Sequence, residues 1–141
     1  MEVAVLTKTA FFFAAAVLFA LASWAQTRAS KSAPDYKIPP EEVARANPVK
    51  PTAESLAKAR KTYAIDCAMC HGEKGDGKGD LASDMKNVTD FTNPDSLKDS
   101  TDGELAYIIK NGKGDMPPEG PRGTSDDFWN LVNYIRAFAK K

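Results

Sequence analysis

The cysteines and the histidine of this chain lie together. Cys67, Ala68, Met69, Cys70 and His71 form the stretch CAMCH, which holds both cysteines and the only histidine of the 141 residues. Thiols and an imidazole at this spacing suit three kinds of chemistry: a redox dithiol, a metal site and a covalently attached haem. The choice among them depends on what else the chain supplies.

The rest of the chain does not supply what a zinc site or a redox dithiol would need. A closed structural zinc site needs about four protein ligands, a number that the cysteines and the histidine do not reach without carboxylates. A redox dithiol usually sits where a strand meets a helix, yet no strand pattern precedes Tyr63. A dithiol would also leave His71 without a role.

The haem interpretation uses all three side chains. If the stretch is helical, positions 67, 70 and 71 share one face, because residues three and four apart on a helix are neighbours. Cys67 and Cys70 are then placed to form thioethers with the two vinyl groups of a haem, while His71 binds the iron from the same side. Cys-x-x-Cys-His is the attachment signature of c-type haem, so the sequence favours one covalent haem.

Three helices are predicted to position this cluster. Thr52 or Ser55 begins the first, whose apolar side chains recur every three or four residues up to the cysteines. The second lies in TDGELAYIIKNG, with Thr101 and Glu104 as a capping box and Gly112 as its end. The third lies in TSDDFWNLVNYIRAFAKK and has the most regular apolar face. Because no segment alternates like a strand, the predicted domain is all-α.

The N-terminal segment, residues 1–25, is predicted to direct export. It contains the uncharged apolar run AFFFAAAVLFALASWA, which resembles the core of a secretory signal and is short for a membrane span of about 20 residues. Ser23 and Ala25 are small residues that suit cleavage after Ala25. An uncleaved anchor is the alternative. In either case the remainder is expected outside the cytoplasm, in a periplasmic or similar compartment.

Residues 26–51 are rich in proline and poor in large apolar side chains. This composition predicts a solvated spacer that is extended or partly disordered. A strap across the domain surface is the alternative, with Tyr36, Ile38 and Val43 as its contacts. The compact domain is predicted over residues 52–141.

The formal net charge is zero, but the charges are unevenly distributed. Residues 26–62 carry eight basic and four acidic side chains, whereas residues 63–141 carry ten basic and fourteen acidic ones. The domain therefore lacks a basic nucleic-acid footprint, and nucleic acid is not an expected partner. The acidic surplus favours redox protein partners with a basic docking face. Membrane contact is expected only if the N-terminal segment is retained.

From about residue 52 to residue 141 the chain resembles a small class I cytochrome c. The resemblance rests on YAIDCAMCHGEKGDGKGD, NGKGDMPP and FWNLVNYIRAFAK, in this order. It implies an all-α fold around one haem, an electron carrier rather than an enzyme, and a methionine as the second axial ligand. Related chains often have proline where Lys78 stands, and the backbone there accepts the other N–H of the proximal histidine. With Lys78 in that place the acceptor for His71 is left open, and any carbonyl of the loop from Gly75 to Asp80 would fix the ring in the same way.

Met116 is the expected methionine ligand. It lies in a glycine-rich loop and is followed by Pro117 and Pro118, which restrict the backbone that presents its sulfur. Met85 is the next candidate, whereas Met69 lies between the cysteines on the proximal side. The haem would also supply the apolar centre that a domain of about 90 residues needs. The residues expected to pack on it are Leu56, Tyr63, Leu81, Ile108, Ile109, Leu131 and Ile135.

The expected function is one-electron transfer between respiratory or dehydrogenase partners outside the cytoplasm. Two other classes remain open: a membrane-tethered haem subunit of a larger redox complex, and a haem sensor or peroxidase-like protein with an open sixth site. A retained N-terminal segment would indicate the first of these. Carbon monoxide binding by the reduced protein would indicate the second.

Overall fold

The chain divides into two units, Met1–Ala33 and Pro34–Lys141. The computed structural model describes residues 36–140. The predicted signal, residues 1–25, and the first part of the predicted spacer lie outside the described residues. Within the described part, no helix has the length and apolar character needed to cross a membrane.

Helices form the architecture of the described part. Its five α-helices are α1 Pro40–Val43, α2 Ala53–Thr62, α3 Ala68–His71, α4 Asp102–Asn111 and α5 Ser125–Arg136. Four 3-10 turns accompany them, at Ala82–Asp84, Pro94–Leu97, Gly120–Arg122 and Phe138–Lys140. The described residues contain no β-strand, only an isolated bridge between Lys113 and Met116. The all-α prediction is confirmed.

The three predicted helices begin at capping threonines. Thr52, Thr101 and Thr124 each accept a hydrogen bond from the backbone N–H three residues later, and the side chain at that later position accepts one from the threonine N–H. This exchange satisfies two N–H groups that the first turn of a helix leaves unpaired. Gly112 ends α4 with a φ of 75°, a left-handed conformation that glycine adopts without strain. The predicted helix starts and the predicted stop are confirmed.

A π turn, Tyr63–Cys67, joins α2 to α3. The N–H of Ala68 donates to the carbonyl of Tyr63, five residues earlier, instead of four as in an α-helix. The wider turn rotates the following residues relative to the apolar stripe of α2. Helical structure thus continues into the cysteines, as predicted. The π turn changes the helical register just before them, and the apolar stripe of α2 did not predict this change.

Helix α5 forms the centre of the core and packs against α2 and α4. Its Val132 is completely buried. Tyr63 packs its ring against those of Tyr134 and Phe138, with centroids 5.3 and 5.2 Å apart. The Tyr63 hydroxyl donates to the carbonyl of Gly72 at 2.9 Å, as a buried tyrosine requires a polar partner. The aromatic core is therefore connected directly to the end of α3.

Residues 36–49 form a strap across α4 and α5. The carbonyl of Val43 accepts a hydrogen bond from the Thr101 hydroxyl at 2.7 Å. Asn47 donates to the side chain of Asn133 at 3.0 Å, and Asn133 donates to a strap carbonyl at 3.0 Å. This part of the predicted spacer therefore follows the alternative interpretation. Hydrogen bonds hold it more than apolar burial does, so its composition resembles that of a solvated segment.

The strap lies close against α4 at Gly103. A Cβ built on it would lie 1.9 Å from the carbonyl oxygen of Glu42 and 2.8 Å from that of Arg45. Alanine normally favours a helix over glycine by about 1 kcal/mol. We nevertheless expect Gly103→Ala to lower the free energy of unfolding by about 2 kcal/mol, because the strap must move. Chemical denaturation and proteolysis near Arg45 would measure both effects.

Lys110→Ala, at an exposed position of the same helix, is the matched control. We expect it to change the free energy of unfolding by no more than about 0.5 kcal/mol. A Gly103→Ala protein as stable as the parent would contradict the close packing of the strap.

Candidate functional site

Helix α3 carries the predicted cluster. Cys67 closes the π turn, Cys70 and His71 end the helix, and Gly72 leaves it with a φ of 77°. Both cysteines are free and half-buried. Positions 67, 70 and 71 therefore have the helical relation that the haem interpretation requires.

Cys67 packs against the apolar core, and three charged side chains act on its thiol. Burial raises the pKa of Cys67 to about 12, with smaller upward contributions from the carboxylates of Glu119 and Asp66 and an opposing one from Arg122. Because the thiolate is the reactive form of cysteine, the free Cys67 thiol is weakly nucleophilic by itself at neutral pH.

The imidazole of His71 is oriented by two neighbours. Its Nδ1 lies 3.3 Å from the carbonyl oxygen of Thr89, and Phe91 stacks on the ring at a centroid distance of 4.5 Å and an interplanar angle of 19°. A carbonyl oxygen only accepts, so Nδ1 carries the proton and the Nε2 lone pair is available to a metal. The pKa of His71 is lowered, because burial lowers it more than the hydrogen bond to Thr89 raises it. The neutral, metal-binding form is thus favoured at neutral pH.

The acceptor for the N–H of His71 lies outside the loop from Gly75 to Asp80. Thr89, further along the chain, provides the acceptor. The carbonyl of Gly75 instead accepts the N–H of Phe91 at 2.7 Å. This bond holds the segment around Thr89 next to the imidazole, so the loop supports the acceptor without supplying it.

The loop after α3 folds back on the helix and pairs its last carbonyls. The N–H groups of Gly77, Gly79 and Leu81 donate at 2.8, 3.1 and 2.8 Å to the carbonyls of His71, Cys70 and Met69, respectively. The approach requires glycine, since a Cβ on Gly79 would lie 2.3 Å from the carbonyl oxygen of Met69. The carbonyls at the end of a helix need partners from outside it. Here the partners also fix the backbone of the cysteine cluster.

Met116 lies in a loop that is held at both ends. Lys113 and Met116 exchange two backbone hydrogen bonds, at 3.1 and 3.0 Å, and the N–H of Glu119 donates to the carbonyl of Ile109 at 3.0 Å. The side chain of Met116 is half-buried and packs against the same apolar cluster as Cys67. The sulfur-containing side chains of Met116 and Cys67 therefore both border the apolar core.

These donors and their surroundings fit a haem. Cys67 and Met116 pack against the apolar cluster and the His71 imidazole stacks on Phe91, and such surroundings suit a large apolar macrocycle. Cys70 is half-buried and directly precedes His71. The residues predicted to pack on the haem are arranged as follows: Tyr63, Ile109, Leu131 and Ile135 are buried, Leu56 and Ile108 are half-buried, and Leu81 is 36% exposed.

Comparison with known proteins identifies the family. Residues 54–135 match the family model described as cytochrome c oxidase, cbb3-type, subunit III. A cytochrome c6 of Cladophora glomerata is 32% identical over 89 residues, covering 59% of this chain and 88% of that protein. The chain belongs to the class I c-type cytochromes. The cytochrome therefore carries covalent haem c, for which Cys67 and Cys70 have the required spacing, and its domain performs haem-based electron transfer.

Two further similarities are partial. The cbb3-type cytochrome c oxidase subunit FixP of Azorhizobium caulinodans is 35% identical over 79 residues, which cover 55% of the cytochrome but 25% of that relative. A chain of a reducing HAO-like protein complex of Kuenenia stuttgartiensis superposes with a TM-score of 0.59 at 22% identity, covering 77% of the cytochrome and 52% of that chain. The second similarity shows the fold alone.

Sequence reasoning missed the neighbours that shape the site. Thr89 and Phe91 orient His71, and the pair Glu119 and Arg122 places charges near the first cysteine. Thr89 acts through its backbone carbonyl, which no side-chain pattern reveals. Phe91 is an isolated aromatic residue in the polar stretch NVTDFTNPD, and that isolation is the one signal available for it.

Phe91→Leu should loosen the orientation of the His71 imidazole in the cytochrome. Without the stacked ring, the imidazole can rotate about its Nδ1 hydrogen bond. We expect the electron paramagnetic resonance signal of the ferric haem to shift and broaden, and the free energy of unfolding to fall by about 1–2 kcal/mol.

Phe128→Leu is the matched control. Phe128 is 5% exposed against 7% for Phe91, and it lies on α5 beside the strap. It should lose similar stability and keep the parent signal. Identical signals in the two variants would contradict the orienting role of Phe91.

Proposed function

We propose that the cytochrome is a one-electron carrier in which Cys67 and Cys70 form the haem thioethers and His71 and Met116 bind the iron. The haem supplies the redox change between ferrous and ferric iron. The supporting observation is the His71 imidazole, which is held with its Nε2 available and follows the two free thiols by one and four positions on the helix. With both axial positions filled by the protein, the site would have no easy place for a substrate, as a carrier requires.

Met116 is preferred to the other methionines because of its surroundings. Met69 is 54% exposed and lies within α3 itself. Met85 is half-buried, and its N–H donates to Ala82 at 3.3 Å, within a local turn. The loop of Met116 is braced against α4 as well as within itself. A braced ligand can present its sulfur with little reorganisation.

A docking face is proposed around the exposed part of α3 and the π turn. Ile65 is 72% exposed and Met69 is 54% exposed, the highest values among the large apolar side chains of the described part. Apolar side chains exposed beside a redox centre suit contact with another protein. Between Lys61 and Asp84 the chain carries five acidic and three basic residues. The proposed redox partner therefore presents an apolar patch with a basic rim.

A membrane-tethered subunit of a larger redox complex is the second candidate. It is supported by the similarity to FixP, whose name assigns that relative to a cbb3-type cytochrome c oxidase. Both candidates place the haem domain outside the cytoplasm, in the periplasm or an equivalent compartment, after export directed by residues 1–25. Retention of that segment would favour the tethered subunit, and its removal the free carrier.

Met116→Ala distinguishes a carrier from a ligand sensor or peroxidase-like protein. Because both thioethers remain, the variant should keep its haem through acid-acetone extraction. It should lose the near-red sulfur-to-iron absorption band, show a lower reduction potential and, when reduced, bind carbon monoxide. Met85→Ala is the matched control and should keep the properties of the parent, at a cost of about 2 kcal/mol in the free energy of unfolding.

Three results would count against these assignments. Haem that leaves the parent protein on extraction would refute covalent attachment. A near-red band that survives in Met116→Ala would assign the distal ligand to another residue. Rapid carbon monoxide binding by the reduced parent would favour the sensor or peroxidase-like protein.

The charge of the proposed docking face can be measured with small oxidants. Oxidation of the reduced cytochrome by a cationic cobalt complex should slow as salt is added, whereas oxidation by anionic ferricyanide should accelerate. Replacing Asp80 and Asp84 by asparagine should lower the rate with the cation at low salt by roughly two- to fivefold. Replacing the exposed Asp99 and Asp126 instead is the matched control and should change it little. Equal salt responses for the two oxidants would refute an acidic face.

A further inference from the structure

Among the described residues, Glu119 is a charged residue that is buried, with 5% of its surface exposed. Arg122, three residues later, binds both of its carboxylate oxygens: Nε donates to Oε2 at 2.9 Å, and Nη2 donates to Oε1. Bidentate pairs of this kind are among the strong hydrogen-bonded interactions of proteins. An isolated carboxylate would be costly to bury, and the ion pair with Arg122 offsets that cost.

Arg122 also places this pair beside the haem attachment point. Its Nε lies 3.9 Å from Oδ1 of Asp66, the residue that precedes Cys67. The Cys67 thiol senses all three charges: burial raises its pKa most, the carboxylates of Glu119 and Asp66 raise it further, and Arg122 opposes them. The sulfur that joins the haem therefore lies within the electric field of a buried carboxylate and its guanidinium partner.

A charge at this place acts on the redox equilibrium of the haem. Reduction adds one negative charge to the haem, so a nearby carboxylate without a partner favours the oxidised form, and a guanidinium opposes it. Solvent screens Glu119 little, because its side chain is 6% exposed, whereas the side chain of Arg122 is 54% exposed. The net field at the haem therefore depends on whether the ion pair stays closed.

We infer that Arg122 is a positioning residue for the haem: it holds Glu119, neutralises it, and so keeps the reduction potential above the value that the buried carboxylate alone would impose. This inference rests on the proposed electron-carrier function. The inference attributes the higher reduction potential to the positive charge at position 122. If the bidentate geometry of the guanidinium were responsible instead, only arginine could have this effect.

Arg122→Gln tests this inference in the haem-loaded cytochrome. In a spectroscopic redox titration, the ratio of reduced to oxidised haem at a fixed ambient potential should fall about three- to tenfold. A tenfold fall corresponds to about 59 mV for one electron. Arg122→Lys keeps the charge but not the bidentate geometry, and it should restore most of the ratio. Glu119→Gln should move the ratio in the opposite direction.

Arg45→Gln is the matched control. Arg45 also pairs with a glutamate three residues earlier, since its Nη1 lies 3.3 Å from Oε2 of Glu42, but the side chain of that glutamate is 32% exposed. This pair lies on the strap. Its loss should leave the ratio within about 1.5-fold of the parent value, as expected of a solvated ion pair.

The outcomes separate this inference from the proposed function. A parent that holds no covalent haem overturns both. With haem attached, an Arg122→Gln protein that keeps the parent ratio overturns the inference alone, and so does an Arg122→Lys protein that titrates like Arg122→Gln. Loss of the near-red band in Arg122→Gln would assign the shift to a displaced ligand and would also overturn it. A shifted ratio with the band retained, reversed by lysine, supports it.

Discussion

The hydrogen bond between Nδ1 of His71 and the carbonyl of Thr89 is the contact on which the proposed haem site depends. It fixes the tautomer, and with Phe91 it fixes the ring. Thr89 is held there because the N–H of Phe91 pairs with the carbonyl of Gly75. Gly75 in turn lies against the aromatic core, since a Cβ on it would lie 2.8 Å from the ring of Phe138. A series of contacts thus connects the 3-10 turn after α5 to the imidazole, and loosening any one of them would loosen the ring.

Backbone hydrogen bonds do most of the positioning on both sides of the proposed iron site. The loop after α3 pairs with that helix through Gly77 and Gly79, and the loop of Met116 pairs with itself and with α4. Backbone pairing leaves the side chains free to be apolar, as a haem pocket requires. It also limits how far either ligand can move. A redox centre whose ligands stay in place reorganises little when an electron arrives or leaves, which suits the proposed carrier better than an enzyme with an exchangeable ligand.

The features that the sequence predicted correctly depend on local contacts. The features that it did not predict depend on tertiary contacts. Thr52, Thr101 and Thr124 cap helices through residues three positions away, so short sequence patterns were sufficient for the helices and for the spacing of the cysteine cluster. The acceptor for His71 could not be identified from the sequence, because Thr89 is held beside the imidazole by the backbone hydrogen bond between Phe91 and Gly75. The strap was assigned mainly to solvent for a similar reason. Its polar residues find their partners on α4 and α5, and composition does not report partners.

The strap and the proposed docking face occupy different parts of the domain, and this separation bears on both candidate functions. Residues 36–49 lie on α4 and α5, where Asn47 and Val43 are hydrogen-bonded. Ile65 and Met69 lie on the π turn and on α3. The described part of the chain therefore begins on a different part of the domain from the proposed docking face. A free carrier would gain stability from the strap, and a subunit of a larger complex would gain the same stability. The strap serves either form, because it packs on α4 and α5 and leaves Ile65 and Met69 exposed.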